Sequence, residues 1–289
     1  MAPLKNQTIL SILKETAMKW ISVILLIFLP FTGCARVQTG LNRTERLLIG
    51  TEQEVEIGKS VAKNVEEKYK ILNDPAIISY INEVGQQVAA KSFRQDVKYH
   101  FKVLDDENIN ALACPGGFIY IFGGALAAME NEAQLAFVLG HEIAHVSARH
   151  SAKKIQKVLG VTLLARLILK EDDETLCQIV NLATNLLFLG YSRRDEFEAD
   201  ELGVYFVHEA NYDPQGGIEF FEILKKIQKR EPSRIEVLFS SHPSSSDRIN
   251  QIRGQIERLP KKEGLEIGEN RFREMTRGLR GRYQKGSER

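Results

Sequence analysis

The chain has 289 residues, and its 39 basic and 38 acidic residues leave a net charge of +1. This balance gives no case for a nucleic-acid-binding protein, which would carry a basic excess. Three cysteines without a CxxC spacing also give no case for a cysteine-ligated zinc module. The length suits one catalytic domain with a short tail.

The first predicted element is a secretory signal near the amino terminus. The stretch MKWISVILLIFLPFTGCARV begins at Met18 with one lysine, continues through an apolar run and ends in small residues before Cys34. This order is typical of a bacterial signal peptide and predicts a signal over residues 1–33 whose true start is Met18. The alternative is a membrane anchor, but the run before Pro30 is short for a span.

The end of this signal resembles a lipobox. Thr32 and Gly33 precede Cys34, although Phe31 stands where leucine is usual. A lipobox implies cleavage before Cys34 and a lipid on that residue, followed here by a linker over residues 34–50. We therefore expect a lipoprotein that is anchored to the outer membrane of a bacterium and faces the periplasm.

A small β-sheet is the next prediction. DVKYHFKVLDD (96–106) and FIYIF (118–122) are rich in β-branched and aromatic residues, and glycines bound the second segment. Between them, INALACP (109–115) is a third strand candidate. It forms either part of an ordinary hairpin or an edge strand that pairs with an extended peptide.

The central motif lies on a predicted helix over NEAQLAFVLGHEIAHVSARHSAKKI, residues 131–155, which has apolar residues at helical spacing and no proline. His141 and His145 are four residues apart, so they project from one face and can chelate one divalent metal. Glu142 lies about 100° round the axis, where its carboxylate can take a proton from a water that the metal activates. Because such short motifs also arise by chance, the interpretation needs a third ligand.

His150 does not fit the position of that ligand. The HExxHxxGxxH pattern would need glycine at 148 and histidine at 151, where this chain has Ala148 and Ser151. On a continuing helix, His150 lies about 180° away from His141. We expect it to be solvated or to contact the site from outside the ligand set.

The downstream segment YSRRDEFEADELG (191–203) is rich in acidic residues and can supply the third ligand. Among Asp195, Glu196, Glu198 and Asp200, only Glu196 and Asp200 are four apart and share a helix face, and Glu198 points about 160° away from Glu196. One of the pair can bind the metal while the other accepts the free N–H of a ligand histidine. The alternative is a solvated acidic face.

Three motifs in this order resemble the HtpX/BepA/CAAX-prenyl-endopeptidase family of zinc metallopeptidases, family M48. They are NALACPGGFIYIFGGAL, HEIAHVSARHS and SRRDEFEAD. The resemblance implies an α+β, mostly helical zincin-like (gluzincin) catalytic domain over residues 51–255, with a small β-sheet whose edge strand borders the active site. It also implies that this strand, with Asn110, Ala111, Leu112 and Ala113, binds the substrate.

The same resemblance implies the role of each motif residue. His141, His145 and Glu196 would bind one zinc ion per chain, Glu142 would be the general base, and Asp200 would support a ligand histidine.

A later segment, HPSSSDR, matches an HP-x-x-x-x-R pattern that the family carries near its zinc. It implies that His242 covers the open coordination position or stabilises the oxyanion, and that Arg248 anchors the loop. Tyr191, Arg193 and Arg194 are the other candidates for an oxyanion donor.

Two apolar runs, Val158–Leu169 and Leu176–Leu189, are each shorter than the roughly twenty residues that a membrane helix needs. We predict that both are helices of the folded domain. Cys114 and Cys177 can pair in an oxidising compartment, but two residues do not determine a disulfide. Both are therefore interpreted as structural or free.

The chain ends in a basic tail, predicted over residues 256–289. From Arg271 onward it has seven Lys or Arg against two Glu, with apolar residues at helical spacing. We predict a helix that docks on the domain and leaves a solvated basic face. The alternative is a helix that lies on an anionic membrane.

Together these patterns predict a zinc metalloendopeptidase that hydrolyses misfolded or misassembled envelope proteins. Its partners would be polypeptide substrates and the outer-membrane assembly machinery, without nucleic acid. The alternative is a metal-binding periplasmic assembly factor or chaperone with little proteolysis. A non-haem iron oxygenase fits less well, because HExxH places an unneeded base beside the metal.

Overall fold

The computed structural model describes residues 47–169, 173–242 and 246–283, so the predicted signal and Cys34 lie outside the described residues. The prediction of a mostly helical α+β domain with a small sheet is confirmed. In chain order the elements are α1 (Thr51–Lys68), α2 (Pro75–Ala89), β1 (His100–Leu104), β2 (Ala111–Cys114), β3 (Phe118–Phe122), α3 (Gly123–Ala128), α4 (Glu132–Ser147), α5 (His150–Leu169), α6 (Asp173–Leu187), α7 (Arg193–Glu209), α8 (Gln215–Arg230), α9 (Glu236–Ser241), α10 (Ser246–Ile256) and α11 (Glu269–Tyr283). Short 3-10 turns cover Pro115–Gly117 and Pro232–Ile235.

The three strands form one sheet in the order β1-β3-β2. β1 runs parallel to β3, whereas β2 runs antiparallel to it, with Ala111 opposite Ile121. The turn between β2 and β3 contains Gly116 and Gly117, both at positive φ, which glycine adopts without a steric penalty. Because β2 lies at one end of this strand order, it is an edge strand, as the resemblance to family M48 implies.

Alternate residues of the strands enter two different hydrophobic clusters, as the period of two requires. Ala111, Ala113 and Ile121 face the larger cluster, which also contains residues of α2, α4 and α7. Leu112 and Tyr120 face the smaller cluster, which contains residues of α1, α5 and α6. The sheet thus has helices on both faces, and α4 lies on the face of the larger cluster.

The helix that carries HExxH ends earlier than the sequence predicts. We expected one helix through residue 155, but α4 ends at Ser147 and α5 begins at His150. The break occurs at Arg149, whose φ of 58° lies in the left-handed region that residues other than glycine rarely adopt.

Tertiary contacts hold Arg149 in this conformation. Its Nε donates to Glu54 Oε2 at 2.7 Å, and its Nη2 donates to the carbonyl of Ile49 at 2.7 Å. Glu54 is only 1% exposed and also binds Arg94 at 2.7 Å. Arg94 in turn donates to the carbonyl of Val146 in the last turn of α4. Buried charge pairs therefore stabilise the break at the cost of their desolvation.

Two glycines bring α4 and α7 into close contact. A Cβ on Gly140 would lie 2.9 Å from Val207 Cγ2 and 3.3 Å from the carbonyl oxygen of Gly203. A Cβ on Gly203 would lie 3.2 Å from the backbone nitrogen of His141. With Ala199 also fully buried here, the helices approach more closely than larger residues would permit.

The basic tail contributes a helix to the same compact unit. Phe272, Leu279 and Tyr283 of α11 are buried in the larger cluster, which agrees with the predicted docking on the domain. Cys114 is buried and Cys177 is exposed, and both are free thiols. Among the described residues, no helix combines the length and the apolar character that crossing a membrane requires.

Candidate metal centre

Four buried side chains from three helical segments converge at one point. His141 and His145 lie on α4, Glu196 lies in the first turns of α7, and His242 directly follows α9. One donor atom from each lies within 4.8 Å of every other. All four residues are at most 6% exposed.

The spacing of these donors fits a zinc ion. His141 Nε2 lies 3.1 Å from His145 Nε2 and 3.3 Å from His242 Nδ1. Glu196 Oε1 lies 3.6 Å from His145 Nε2 and 3.0 Å from His242 Nδ1. Four donors at about 2.0–2.1 Å from a tetrahedral zinc are roughly 3.3 Å apart, and imidazole and carboxylate are common zinc ligands. The donor set therefore suits zinc.

The charge state of the cluster also favours a cation. Burial and the nearby imidazoles hold the pKa of His145 well below its ordinary value, so the ring stays neutral, which is the form that binds metals. Burial alone would raise the pKa of Glu196, but His242, Arg248 and His141 lower it to about 2. This carboxylate is therefore ionised.

Asp200 and Arg248 support the cluster from the side of His141. Asp200 Oδ1 lies 3.0 Å from His141 Nδ1, on the opposite side of the ring from the donor Nε2. Arg248 donates to both Asp200 oxygens at 2.7 Å, and its Nη1 lies 2.7 Å from Glu196 Oε2. Arg248, on α10, thus binds both Glu196 and Asp200 of α7. The sequence does not predict this contact.

His150 supports the cluster from the side of His145, because the break at Arg149 turns it back toward α4. Its Nδ1 lies 2.9 Å from His145 Nδ1, and it is 2% exposed. The expectation of a continuing helix is therefore wrong. His150 is not solvated but contacts the site from outside the donor set, which is the second of its two expected environments. His150 Nε2 lies 3.5 Å from Glu198 Oε2, which brings this acid close to the site although it points away from Glu196.

This geometry assigns the protons of the two rings. If His145 uses Nε2 to bind a metal, its Nδ1–H must donate to His150 Nδ1. The proton of His150 then lies on Nε2, facing Glu198 and, at 3.8 Å, Asp195. The nearby imidazole of His150 also lowers the pKa of Glu198.

Glu142 lies beside the donor set rather than in it. It is 2% exposed, its Oε1 lies 3.7 Å from His242 Nε2, and its Oε2 has no hydrogen-bond partner within the described residues. Burial raises the pKa of Glu142, although His242 and His141 oppose this effect. A carboxylate with a raised pKa is a stronger base than an exposed glutamate.

The candidates for an oxyanion donor differ in position. Tyr191 stacks on the His145 ring, with 4.0 Å between centroids, and its hydroxyl lies 2.9 Å from Ser151 Oγ. Arg193 forms an ion pair with Asp247 and is 70% exposed. Arg194 is exposed as well. Of these three residues, only Tyr191 contacts the cluster.

The edge strand borders the centre with part of its length. Asn110 and Ala111 line a cavity together with His141, Glu142 and His242. Leu112 instead faces the smaller hydrophobic cluster. The carbonyl of Ala113 accepts a hydrogen bond from Ser151 Oγ at 3.4 Å. Among the predicted residues of this strand, Asn110 and Ala111 are therefore those that line this cavity.

Sequence reasoning did not identify Glu54, Arg149 and Ser151 as parts of this arrangement. None belongs to a motif of metal ligands, and Glu54 lies 95 residues before Arg149. The sequence contained one indication of the support for His145: another histidine, His150, follows it by only five residues.

Comparisons with known proteins agree with this geometry. The model of the family described as "Peptidase family M48" matches residues 76–256 of this chain. The "Beta-barrel assembly-enhancing protease" of Escherichia coli is 27% identical over 76% of this chain and 47% of its own length. The "Mitochondrial metalloendopeptidase OMA1" of Schizosaccharomyces pombe is 33% identical over 60% of this chain and 51% of its own length. The chain thus spans about half the length of these relatives.

The contact between His150 and His145 generates a first prediction. His150→Ala should weaken zinc affinity by about 10–100-fold, the usual effect of losing a partner that orients a ligand histidine. A competition titration with a chelator measures this change. His100→Ala is the matched control, because His100 lies in β1, stacks on Phe118 of β3 and is not one of the four donors. Equal zinc affinity in both variants would remove His150 from the support of the site.

Proposed function

The chain belongs to peptidase family M48, and we propose that it is a zinc-dependent metalloendopeptidase that hydrolyses peptide bonds of misfolded or misassembled envelope proteins. One observation carries this proposal: a buried base, Glu142, adjoins a zinc-type donor cluster next to an edge strand. This combination would bring a base, a metal-binding cluster and a surface for extended peptide together, which supports the proposal.

In this proposal His141, His145 and Glu196 hold one zinc ion per chain, and Asp200 orients His141. Zinc bound there supplies Lewis-acid polarisation of the substrate carbonyl and of a water molecule. Glu142 takes the proton of the attacking water at its carboxylate and then delivers it to the leaving amine. Its burial supports this role, because the proton acceptor is kept away from bulk water.

The backbone of β2 suits an extended polypeptide. The carbonyl of Asn110 accepts a hydrogen bond from the N–H of Phe122 at 3.0 Å, so residues 110 and 112 point their polar groups toward β3. By alternation, Ala111 and Ala113 direct theirs toward the open edge. Ser151 already donates to the carbonyl of Ala113, which leaves Ala111 as the main anchor for a substrate backbone.

The cellular setting of the proposal comes from the amino-terminal sequence and the relatives. A lipid on Cys34 would attach the enzyme to the outer membrane on its periplasmic side. A relative named for β-barrel assembly supports a partnership with the outer-membrane assembly machinery. A signal peptide of the predicted type would deliver the chain to the same compartment.

One observation favours a second candidate, a metal-binding assembly factor with little proteolysis. His242 is a fourth donor, and zinc sites with four protein ligands are usually structural rather than catalytic. Glu142 distinguishes the two candidates, because a structural zinc site does not require a general base.

The second prediction follows from this distinction. Glu142→Gln should lower peptide cleavage by about 10²–10⁴-fold, the usual scale for losing a general base, while zinc stays bound. Cleavage of a denatured protein and the zinc content of the same preparation are the measurements. Glu201→Gln is the control, since Glu201 is exposed on α7. Unchanged cellular function of Glu142→Gln would favour the assembly factor.

The third prediction concerns His242. Its Nδ1 lies within 3.3 Å of two other donors, so we expect it to close the resting site as a gate that substrate must displace. His242→Ala should therefore raise cleavage of unfolded substrates and change zinc affinity little, because three ligands remain. Steady-state kinetics and a zinc titration measure both effects.

Two other results would contradict this gate. A fall in turnover of about a hundredfold would make His242 an oxyanion donor instead. Ser240→Ala is the control, because Ser240 is exposed on α9, two positions before His242. Kinetics of His242→Ala equal to those of this control would exclude His242 from the mechanism.

A further inference from the structure

Glu54 is a buried carboxylate in the first turn of α1, outside the four donors of the candidate metal centre. It is 1% exposed, and both of its oxygens accept hydrogen bonds. Oε1 accepts from Arg94 Nη1 at 2.7 Å and from the backbone N–H of Gly116 at 3.4 Å. Oε2 accepts from Arg149 Nε at 2.7 Å. One carboxylate therefore joins α1, the turn after β2 and the junction between α4 and α5.

Arg94 fixes the position of this carboxylate. Its side chain is 7% exposed and also donates to Asp96 Oδ1 at 3.1 Å. The same side chain donates to the carbonyl of Val146 at 3.2 Å, in the last turn of α4. Separating a buried ion pair is costly because it leaves an unpaired charge, so Glu54 is a fixed anchor for any other group that binds it.

Arg149 connects this anchor to the metal ligands through its backbone conformation. Its φ of 58° is left-handed, and its guanidinium reaches back to Glu54 and to the carbonyl of Ile49, both at 2.7 Å. In a right-handed conformation α4 would continue, and His150 would project away from the donors. In the observed conformation His150 Nδ1 lies 2.9 Å from His145 Nδ1.

We propose that Glu54 is a positioning residue of the metal centre, although it is not itself a donor. By holding Arg149 in the left-handed conformation, it keeps the His150 imidazole against His145, which orients the ring of that ligand. This role rests on the proposed zinc site and extends its support to α1. The conformation of residue 149 and the affinity for zinc are then coupled, so a substitution that favours the right-handed conformation weakens zinc binding.

Two substitutions of one residue test this coupling. Arg149→Ala and Arg149→Gly both remove the guanidinium and keep the pair of Glu54 with Arg94, and they differ by a single methyl group. Alanine disfavours the left-handed conformation, which glycine adopts freely. Competition with a chelator should therefore show a zinc affinity at least about fivefold higher in Arg149→Gly than in Arg149→Ala. Equal affinities, or the opposite order, would overturn the proposal.

Lys157 supplies the matched control, because it is exposed within α5. Glycine has no conformational advantage inside a helix, where it is less stable than alanine. Lys157→Ala and Lys157→Gly should therefore bind zinc equally. A preference for glycine at this position as well would show that backbone freedom in general raises the affinity, and it would contradict a specific role of the conformation at Arg149.

A second set of variants shows whether the effect passes through His150. Adding His150→Ala should abolish the difference between Arg149→Ala and Arg149→Gly, because the side chain that the break positions is then absent. Residues that act through one another are non-additive in such a cycle. A merely structural role of Arg149 would leave the difference unchanged, and that result would refute the proposed route.

Glu54→Gln tests the anchor itself. It keeps the size of the side chain but removes the charge that binds Arg149, so zinc affinity should fall by about tenfold, within the usual range for losing the support of a ligand histidine. Adding Arg149→Gly should raise the affinity again, since glycine adopts the left-handed conformation without the anchor. Glu56→Gln is the control, because Glu56 is exposed on the same helix. An affinity of Glu54→Gln equal to that of this control would exclude Glu54 from the support of the site.

Nuclear magnetic resonance of the metal-free full chain gives a readout that needs neither zinc nor cleavage. The chemical shifts of the ring nitrogens should show the hydrogen bond between His145 and His150 in the wild type and in Arg149→Gly, but not in Arg149→Ala. If they do and no form of the chain cleaves peptides, the peptidase function fails and the positioning role stands. If the wild type cleaves peptides but the two Arg149 variants differ neither in this bond nor in zinc affinity, the positioning role fails and the function stands.

Discussion

The candidate metal centre depends on how closely α4 and α7 approach each other at Gly140 and Gly203. His141 and His145 lie on one helix and Glu196 lies on the other, so the distance between the helix axes sets the separation of Glu196 from the two histidines. A side chain at Gly203 would meet the backbone of α4 itself, which cannot rotate away as a side chain can. Packed helices tolerate extra atoms poorly, and the usual cost of overpacking is about 1–3 kcal/mol. Glycine at both positions therefore makes the cluster geometrically feasible.

Charge pairs around the contact between α4 and α7 then orient the candidate ligands. Arg248 binds both Glu196 and Asp200 of α7, so one guanidinium lies between two buried carboxylates. On the other side, Glu54 holds the left-handed Arg149, and the resulting break directs His150 to His145. Buried ionic groups of this kind cost desolvation energy, and removing one partner leaves an unpaired charge. The same low-dielectric surroundings that make these pairs costly also make Glu142 more basic.

The sequence predicts those parts of the site that depend on local periodicity. A spacing of four residues was enough to pair His141 with His145 and Glu196 with Asp200, because a helix repeats every 3.6 residues. The strand FIYIF was likewise predicted at the residues where β3 is observed. The break after Ser147 was not predictable, because it uses an arginine instead of glycine or proline and depends on a glutamate that is distant in the chain. Periodicity also could not place His242 among the donors, since that requires the path of the chain through α8 and α9.

The contact between α4 and α7 is tested most directly by the zinc affinity of a double variant, Gly140→Ala with Gly203→Ala, measured by competition with a chelator alongside thermal unfolding. We expect a folded protein with a lowered Tm and a zinc Kd raised by about tenfold or more, because the helices must separate. Gly278→Ala is the control, since an added Cβ in that part of α11 meets nothing within 4 Å. Zinc affinity equal to that of the control would show that the donors are positioned independently of the close contact between α4 and α7.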